Sequence, residues 1–278
     1  MATRKSDPGP NDVPVPSSAR TRSSGPAPST SAASGPVRNA LAAVRNFEAL
    51  VRSTSVDEET LASVMTEIGG ACATLRDAFL QTPATYDRLA RFALQRVDEL
   101  DALLGRGMPS NTAERVALGT ASVSVTSAEL SAAAELLDLA ERSLAPASIE
   151  LSLSMLAKES LQMVLALRTE ATADVHIAAA DPDAVVVCDP QIASRLIAIA
   201  VSMVYRPSDA ALLVSTSLDG DHAVVRVEPR DQPASPRVAV RVLRLIDPTE
   251  DVAVRAAAAA GMSLARDGDA VVLTIPLQ

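Results

Sequence analysis

Tryptophan is absent from this chain of 278 residues, aromatic side chains make up 2%, and histidine occurs only twice, at His176 and His222. So few rings exclude a stacking platform for nucleic-acid bases. Ala, Val and Leu must fill the core, and at 48% apolar residues that core favours close-packed helices. Residues 1–175 contain no imidazole at all, so no histidine there can act as a phosphate carrier or general base. Net charge is −9. The first 36 residues hold four basic and two acidic groups, which leaves 21 basic against 32 acidic in the rest, a net −11. An acidic body repels phosphate backbones, so no nucleic-acid partner is expected.

Cysteine is almost as scarce. Cys72 and Cys188 stand far apart with no metal-ligand spacing around them and read as two buried thiols. Cys-x-x-Cys, His-Glu-x-x-His and Gly-x-Ser-x-Gly patterns are missing, so no metal, no cofactor and no hydrolase chemistry is expected. No apolar run reaches the about 18 residues of a membrane span. Arg4 and Lys5 have no hydrophobic region behind them. The expectation is a cytoplasmic protein with no membrane contact.

Three regions follow from composition and period. Residues 1–36 carry 7 of the 18 prolines and few large apolar side chains, the composition of a disordered tail. From 37 to 146 the chain reads as a helical dimerisation domain. A short amphipathic segment covers 37–53, and Ser55 with Glu58 suggests a capping box for the next helix. Leu61, Ile68 and Leu75 recur every seven residues, and Leu89, Phe92, Val97, Leu100 and Leu104 continue an apolar face after Pro83. The loop 105–111 breaks the helix. Val116, Val123, Leu130, Leu137 and Leu144 then form a second seven-residue seam. A helical hairpin of this kind buries its seam most economically by dimerising into a four-helix bundle; the other solution is an intrachain bundle that uses 37–53 as a further helix.

The third region, 147–278, changes period. Residues 150–169 and 191–205 read as helices, and 173–178 and 184–188 as strands. Residues 211–217 and 222–228 form a hairpin across Asp219-Gly220. Helices over 236–246 and 249–265 precede a last strand, 270–275. The fold class is α+β: a helical hairpin followed by an α/β sandwich with helices against one face of a mixed sheet.

The order of these elements resembles the cytoplasmic core of histidine kinases, a dimerising helical hairpin followed by an ATPase domain of the GHKL (Bergerat) fold. Leu136-Leu-Asp-Leu-Ala140 is similar to the end of the second hairpin helix, and Ser152 to Leu167 to the first ATPase-domain helix. Val187-Cys-Asp189, with Ile192 and Leu196 behind it, resembles the entry to the nucleotide-site helix. Tyr205-Arg-Pro207 resembles that helix's exit, and 272–277 the closing strand.

The resemblance implies functional positions that this chain fills differently. Aligning Leu80-Gln-Thr-Pro83 with the family's segment after the phosphoacceptor puts Ala78 in the histidine's place and Phe79 where an acidic neighbour is expected. A methyl group cannot attack a phosphate. The helix that should carry a Mg²⁺-coordinating Asn has none; Val201 takes the equivalent position, and Ser202 is the small polar group beside it. Pro229 stands near the adenine-binding aspartate's place, with Asp231 as a displaced relic or a plain loop residue. The glycine-rich lid is replaced by 247–260, where Glu250 and Asp251 would repel a triphosphate and suit instead the first turn of a helix. From residue 247 onward the first glycine is Gly261.

The expected function is therefore that of a pseudo-histidine kinase. It would be a non-catalytic, dimeric adaptor or regulator of two-component signalling that contacts a response-regulator receiver domain or a true kinase. Ala78, Phe79 and Gln81 are the candidate partner-binding residues, with simple bundle core as the competing reading of Phe79. The alternatives are a phosphorelay protein like the bacterial histidine phosphotransferases with a decayed ATPase domain, a divergent ATPase or kinase, and a helical oligomer unrelated to kinases.

Overall fold

Pro83 decides how the first half of the chain folds. In the computed structural model, which describes residues 35–162, 169–179, 183–207, 211–230, 238–243 and 245–277, the helix before Pro83 stops at Leu80 and the chain turns back. The expected tail up to residue 34, the helix end at 163–167 and Asp231 lie outside the described residues. Helix α1 (Gly35–Val51), α2 (Glu58–Leu80) and α3 (Asp87–Gly105) precede a long segment made of α4 (Thr112–Leu118), a π-helical turn (Gly119–Val123) and α5 (Ser124–Ser143). A 3₁₀ turn, Ala84–Tyr86, covers the reversal, and the Tyr86 N–H donates to Pro83 O at 2.8 Å.

The helix boundaries have side-chain causes. Asp57, not Ser55, caps α2: its carboxylate accepts the Thr60 N–H at 2.7 Å, with Glu58 and Glu59 in the first turn. A carboxylate directly before the first helical residue outcompetes a serine two positions earlier. Asn111 caps α4 through the Ala113 and Glu114 amides.

Around the bundle, α1 packs on α2, α2 on α3, α3 on α5 and α5 on α1. A four-helix bundle is thus formed inside one chain, the arrangement in which the segment 37–53 serves as a further helix. Its core holds Phe47, Phe79 and Tyr86, each at most 1% exposed. Each such ring stabilises the bundle by about 2–3 kcal/mol on apolar area alone. The heptad seam survives only in part. Val123, Leu130 and Leu137 are buried, Val116 is half-buried and Leu144 is 59% exposed. The π turn inserts a residue and rotates what precedes it by about 100°, so Val116 leaves the seam; Leu144 lies past the helix end.

The second half is a mixed six-stranded sheet of order β6-β2-β4-β5-β8-β7 beside a two-stranded ribbon, β1-β3. Its strands are β1 (Ile149–Ser152), β2 (Thr169–Ala178), β3 (Val185–Cys188), β4 (Ala211–Asp219), β5 (His222–Arg230), β6 (Val238–Leu243), β7 (Ser263–Asp267) and β8 (Ala270–Pro276). Only β2 and β4 run parallel in the large sheet. Helices α6 (Leu153–Gln162), α7 (Pro190–Val204) and α8 (Thr249–Ala259) make the helical layer, in which α7 packs on both α6 and α8. Val214, Val225, Leu273 and Ile275 point from the sheet into it.

This is the α+β class expected, helices followed by a sandwich, with four local corrections. The start of the segment 150–169 is strand β1, and α6 begins only at Leu153. Residues 238–243 form strand β6, not a helix, paired with β2; the alternating Val238-Ala-Val-Arg-Val242 has the period of a strand. Helix α8 stops at Ala259 because Gly261 takes φ +75 and Met262 N–H reaches back to Ala257 O at 2.8 Å, a glycine helix stop. The β4–β5 turn is Gly220-Asp221, with Asp219 paired to His222; Gly220 at φ +60 supplies the first central position of a type II′ turn.

Candidate functional site at the joint between bundle and sheet

Helix α5 packs against α7 and α8, so the bundle leans on the helical layer of the sheet domain. Charged side chains bridge this joint. Asp189 caps α7 through the Gln191 and Ile192 amides at 2.9 and 3.2 Å, with Pro190 at the first helical position, where a missing N–H costs nothing. The same carboxylate accepts from Arg142 Nε at 3.0 Å and from the Ala147 amide at 2.9 Å. Burial pushes the Asp189 pKa up, but the Ala147 amide, Arg142 and the Ile192 amide together hold it below the usual carboxylate value.

A second bridge joins Arg195 of α7 to Asp138 of α5 in a close ion pair. Glu135 lies one turn earlier, 4.0 Å from the same guanidinium. A third, exposed bridge runs from Arg88 of α3 to Asp247, with contacts of 2.9 and 3.0 Å. Tyr86 and Ser143 hydroxyls meet at 3.0 Å inside the bundle end.

The positions taken from the kinase resemblance can now be placed. Ala78 is half-buried on α2, Phe79 is fully buried in the bundle core, and Gln81 is exposed at the helix end. Leu80, next to them, is 64% exposed. The structure therefore brings Ala78 and Gln81 to one helix end and turns Phe79 inward beneath them. On α7, Val201 is fully buried. Ser202 is used twice by the backbone: its hydroxyl donates to Ala198 O at 2.9 Å and accepts the Leu243 N–H at 2.9 Å. Neither side chain is available as a Mg²⁺ ligand.

The segment in the lid's place is closed as well. Thr249 is buried, and its Oγ1 accepts the Ile246 N–H at 3.0 Å while Ile246 O accepts the Thr249 N–H at 2.9 Å. Val252, Ala253, Ala256 and Ala257 of α8 are buried, with α8 held between α7 and α5. Glu250 pairs with Arg266 and Asp251 with Arg255.

The two thiols are poor nucleophiles. Burial, then Asp101, pushes Cys72 up to about 12; burial, then Asp189, pushes Cys188 up to about 11. Both stay protonated near neutrality. His222 sits at the β4–β5 turn against Asp221, 2.7 Å away, and His176 is on β2; neither is on the bundle. Among the described residues no cluster of His, Cys, Asp and Glu has the arrangement of a metal site. No helix among them is long and apolar enough to cross a membrane.

Reading the sequence picked out Leu136 to Ala140 and Asp189 as a layout but missed the pairing of Asp138 with Arg195 and of Asp189 with Arg142. The usable signal was charge in apolar surroundings. Asp138 stands between Leu137 and Leu139, and Arg195 is the one charged residue of α7. Opposite charges in two buried helices need each other.

No protein-family model matches the chain, and no curated protein matches it. Among solved structures it is similar to the histidine kinase AdeS of Acinetobacter baumannii, at 12% identity and a TM-score of 0.39, over 68% of this chain and 94% of that one. It is also similar to a bacterial phosphotransferase, at 14% identity and a TM-score of 0.31, over 70% of this chain and 95% of that one. At such identities and scores, function has to be argued from the chain's own residues.

Proposed function

We propose that this protein is a non-catalytic signalling protein of two-component type, an adaptor or regulator that works through contacts with a receiver domain or a histidine kinase. The observation that carries the reading is the double engagement of Ser202 by backbone beside a fully buried Val201. The helix equivalent to the nucleotide-site helix has spent its polar group on holding β6. Ala78 in the acceptor's place and the absence of histidine from residues 1–175 support the same reading. They also weigh against a phosphotransferase role, which needs a nucleophile.

The partner surface in this proposal is the α2 end, where Ala78 and Gln81 offer contact and Phe79 supports them from inside. A homodimer belongs to the proposal too. Because the bundle core is complete within one chain, a second copy joins through outer helix faces.

Titrating the full-length protein with Mg-ATP and Mg-ADP in a calorimeter tests the central claim. No heat at about millimolar nucleotide, a ceiling near −4 kcal/mol, supports the reading. Micromolar binding that Ser202→Ala weakens overturns it.

A further inference from the structure

The joint between α5 and α7 has two acids and one base in its buried part. Asp138 is 2% exposed and Arg195 9%, and Glu135 is half-buried one helical turn from Asp138. Arg195 Nη1 is held close to Asp138 Oδ2, while its Nη2 is 4.0 Å from Glu135 Oε2, beyond hydrogen-bond reach. The Arg195–Asp138 contact is close without being directional: Asp138 Oδ1 and Arg195 Nη1 have no hydrogen-bond partner. One guanidinium is pulled by two carboxylates and satisfies neither completely.

We infer that Glu135 is a proton-controlled latch of this joint. Charged, it competes with Asp138 for Arg195; with a proton on its carboxylate it stops competing, and the bundle seats more firmly on the sheet domain. The proton comes from solvent, and no other bond changes.

The groups facing Glu135 can be named element by element. On α5 itself Asp138 repels it. From α7 Arg195 attracts it, and from α1 Arg45 does so at longer range. On α3, Arg96 is engaged with Glu129. The charges of α8 are paired elsewhere, Glu250 with Arg266 and Asp251 with Arg255.

Burial, the largest influence, pushes the Glu135 pKa up; Arg195 and Arg45 pull it down, Asp138 adds to the rise, and the balance is upward. A carboxyl that binds its proton more tightly in the folded state contributes stability below its unfolded pKa and loses it as pH rises through the folded value. The joint should therefore loosen from mildly acid to neutral pH. Asp189, whose pKa is lowered, keeps its charge across that window and does not contribute to the change.

Hydrogen exchange by mass spectrometry on the full-length protein, between about pH 5 and about pH 8 and corrected for the intrinsic rate, reads the joint directly and needs no partner. For the wild type, protection of α5 and of the first half of α7 is expected to fall about three- to tenfold across the range. Glu135→Gln should hold it flat and high. Glu141→Gln is the control: burial and Asp138 raise the pKa of Glu141 as well, but it is exposed and makes no ion pair with Arg195, so this variant should keep most of the wild-type slope. If Glu135→Gln folds poorly, as circular dichroism would reveal, Glu135→Ala must give the flat profile instead. A flat wild-type profile, a Glu135 variant with the wild-type slope, or a slope removed by Glu141→Gln overturns the inference. Since exchange is read in the absence of nucleotide and receiver domain, its outcome is independent of the proposed function.

Discussion

Arg142 and Asp189 lie 3.0 Å apart and tie the last turn of the bundle to the first turn of α7. Because Asp189 also caps α7 and accepts the Ala147 amide, one carboxylate fixes the bundle end, the connecting segment and the sheet domain together. Arg142→Ala leaves that carboxylate buried without its cation, at a cost of about 3 kcal/mol. Urea unfolding followed by circular dichroism should show a lower midpoint with an unchanged slope. The pH dependence has a definite sign. A carboxylate held below its ordinary pKa adds stability above the unfolded value and loses it as pH falls through the folded value. Acid unfolding of Arg142→Ala should accordingly begin at higher pH than that of the wild type.

Asp138 and Arg195 invite a different experiment. Removing Arg195 strands Asp138 in a buried helix contact, and Arg195→Met should destabilise by about 3–5 kcal/mol. The double variant Asp138→Leu with Arg195→Met replaces a poorly directed pair by packing, and should recover most of that loss or exceed wild-type stability. A coupling energy near zero in the double-mutant cycle would mean that the two side chains do not act as a pair.

The period of the chain and its turn residues made the architecture legible. Seven-residue spacing marked the bundle helices, and alternation marked β4, β5 and β8. What stayed hidden was long-range or single-residue in origin. Nothing local distinguishes a proline that kinks a helix from one that reverses the chain, so Pro83 was consistent with a long hairpin arm. The π turn at Gly119–Val123 has no composition of its own, and its rotation of Val116 followed from packing. Strand β6 was misread as a helix because Val-Ala-Val-Arg-Val-Leu is short enough to satisfy either period. At the site, Ala78, Val201 and Ser202 were visible as substitutions. That Ser202 serves Leu243 is a contact across 41 positions, beyond any local pattern.

Two kinds of helical glycine should respond oppositely to alanine. At Gly119 an added Cβ would come within 2.8 Å of Val51 Cγ1 and 3.3 Å of the Arg52 amide nitrogen. The π turn and the end of α1 touch there, and Gly119→Ala should cost about 1–3 kcal/mol through overpacking. At Gly69 and Gly70, inside α2, the same Cβ meets nothing within 4 Å. Either alanine there should stabilise by up to about 1 kcal/mol from helix propensity. Thermal unfolding distinguishes the cases: a fall in Tm for Gly119→Ala and a rise for the other two. A rise at Gly119 would mean that α1 does not pack closely on the π turn.

Phe79 and Gln81 separate support from contact at the α2 end. Phe79 is fully buried, so Phe79→Ala should destabilise the bundle by about 3–5 kcal/mol. Any loss of partner binding it causes should track unfolding. Gln81 is exposed, and its hydrogen bonds there are made by its backbone amide. Gln81→Arg should therefore leave the unfolding free energy within about half a kcal/mol of wild type. If the α2 end is the partner surface, that same variant weakens binding of a receiver domain, measured by calorimetry at a temperature where both proteins are folded. Unchanged affinity for Gln81→Arg, with Phe79→Ala acting only through stability, would move the partner surface away from this end of the bundle.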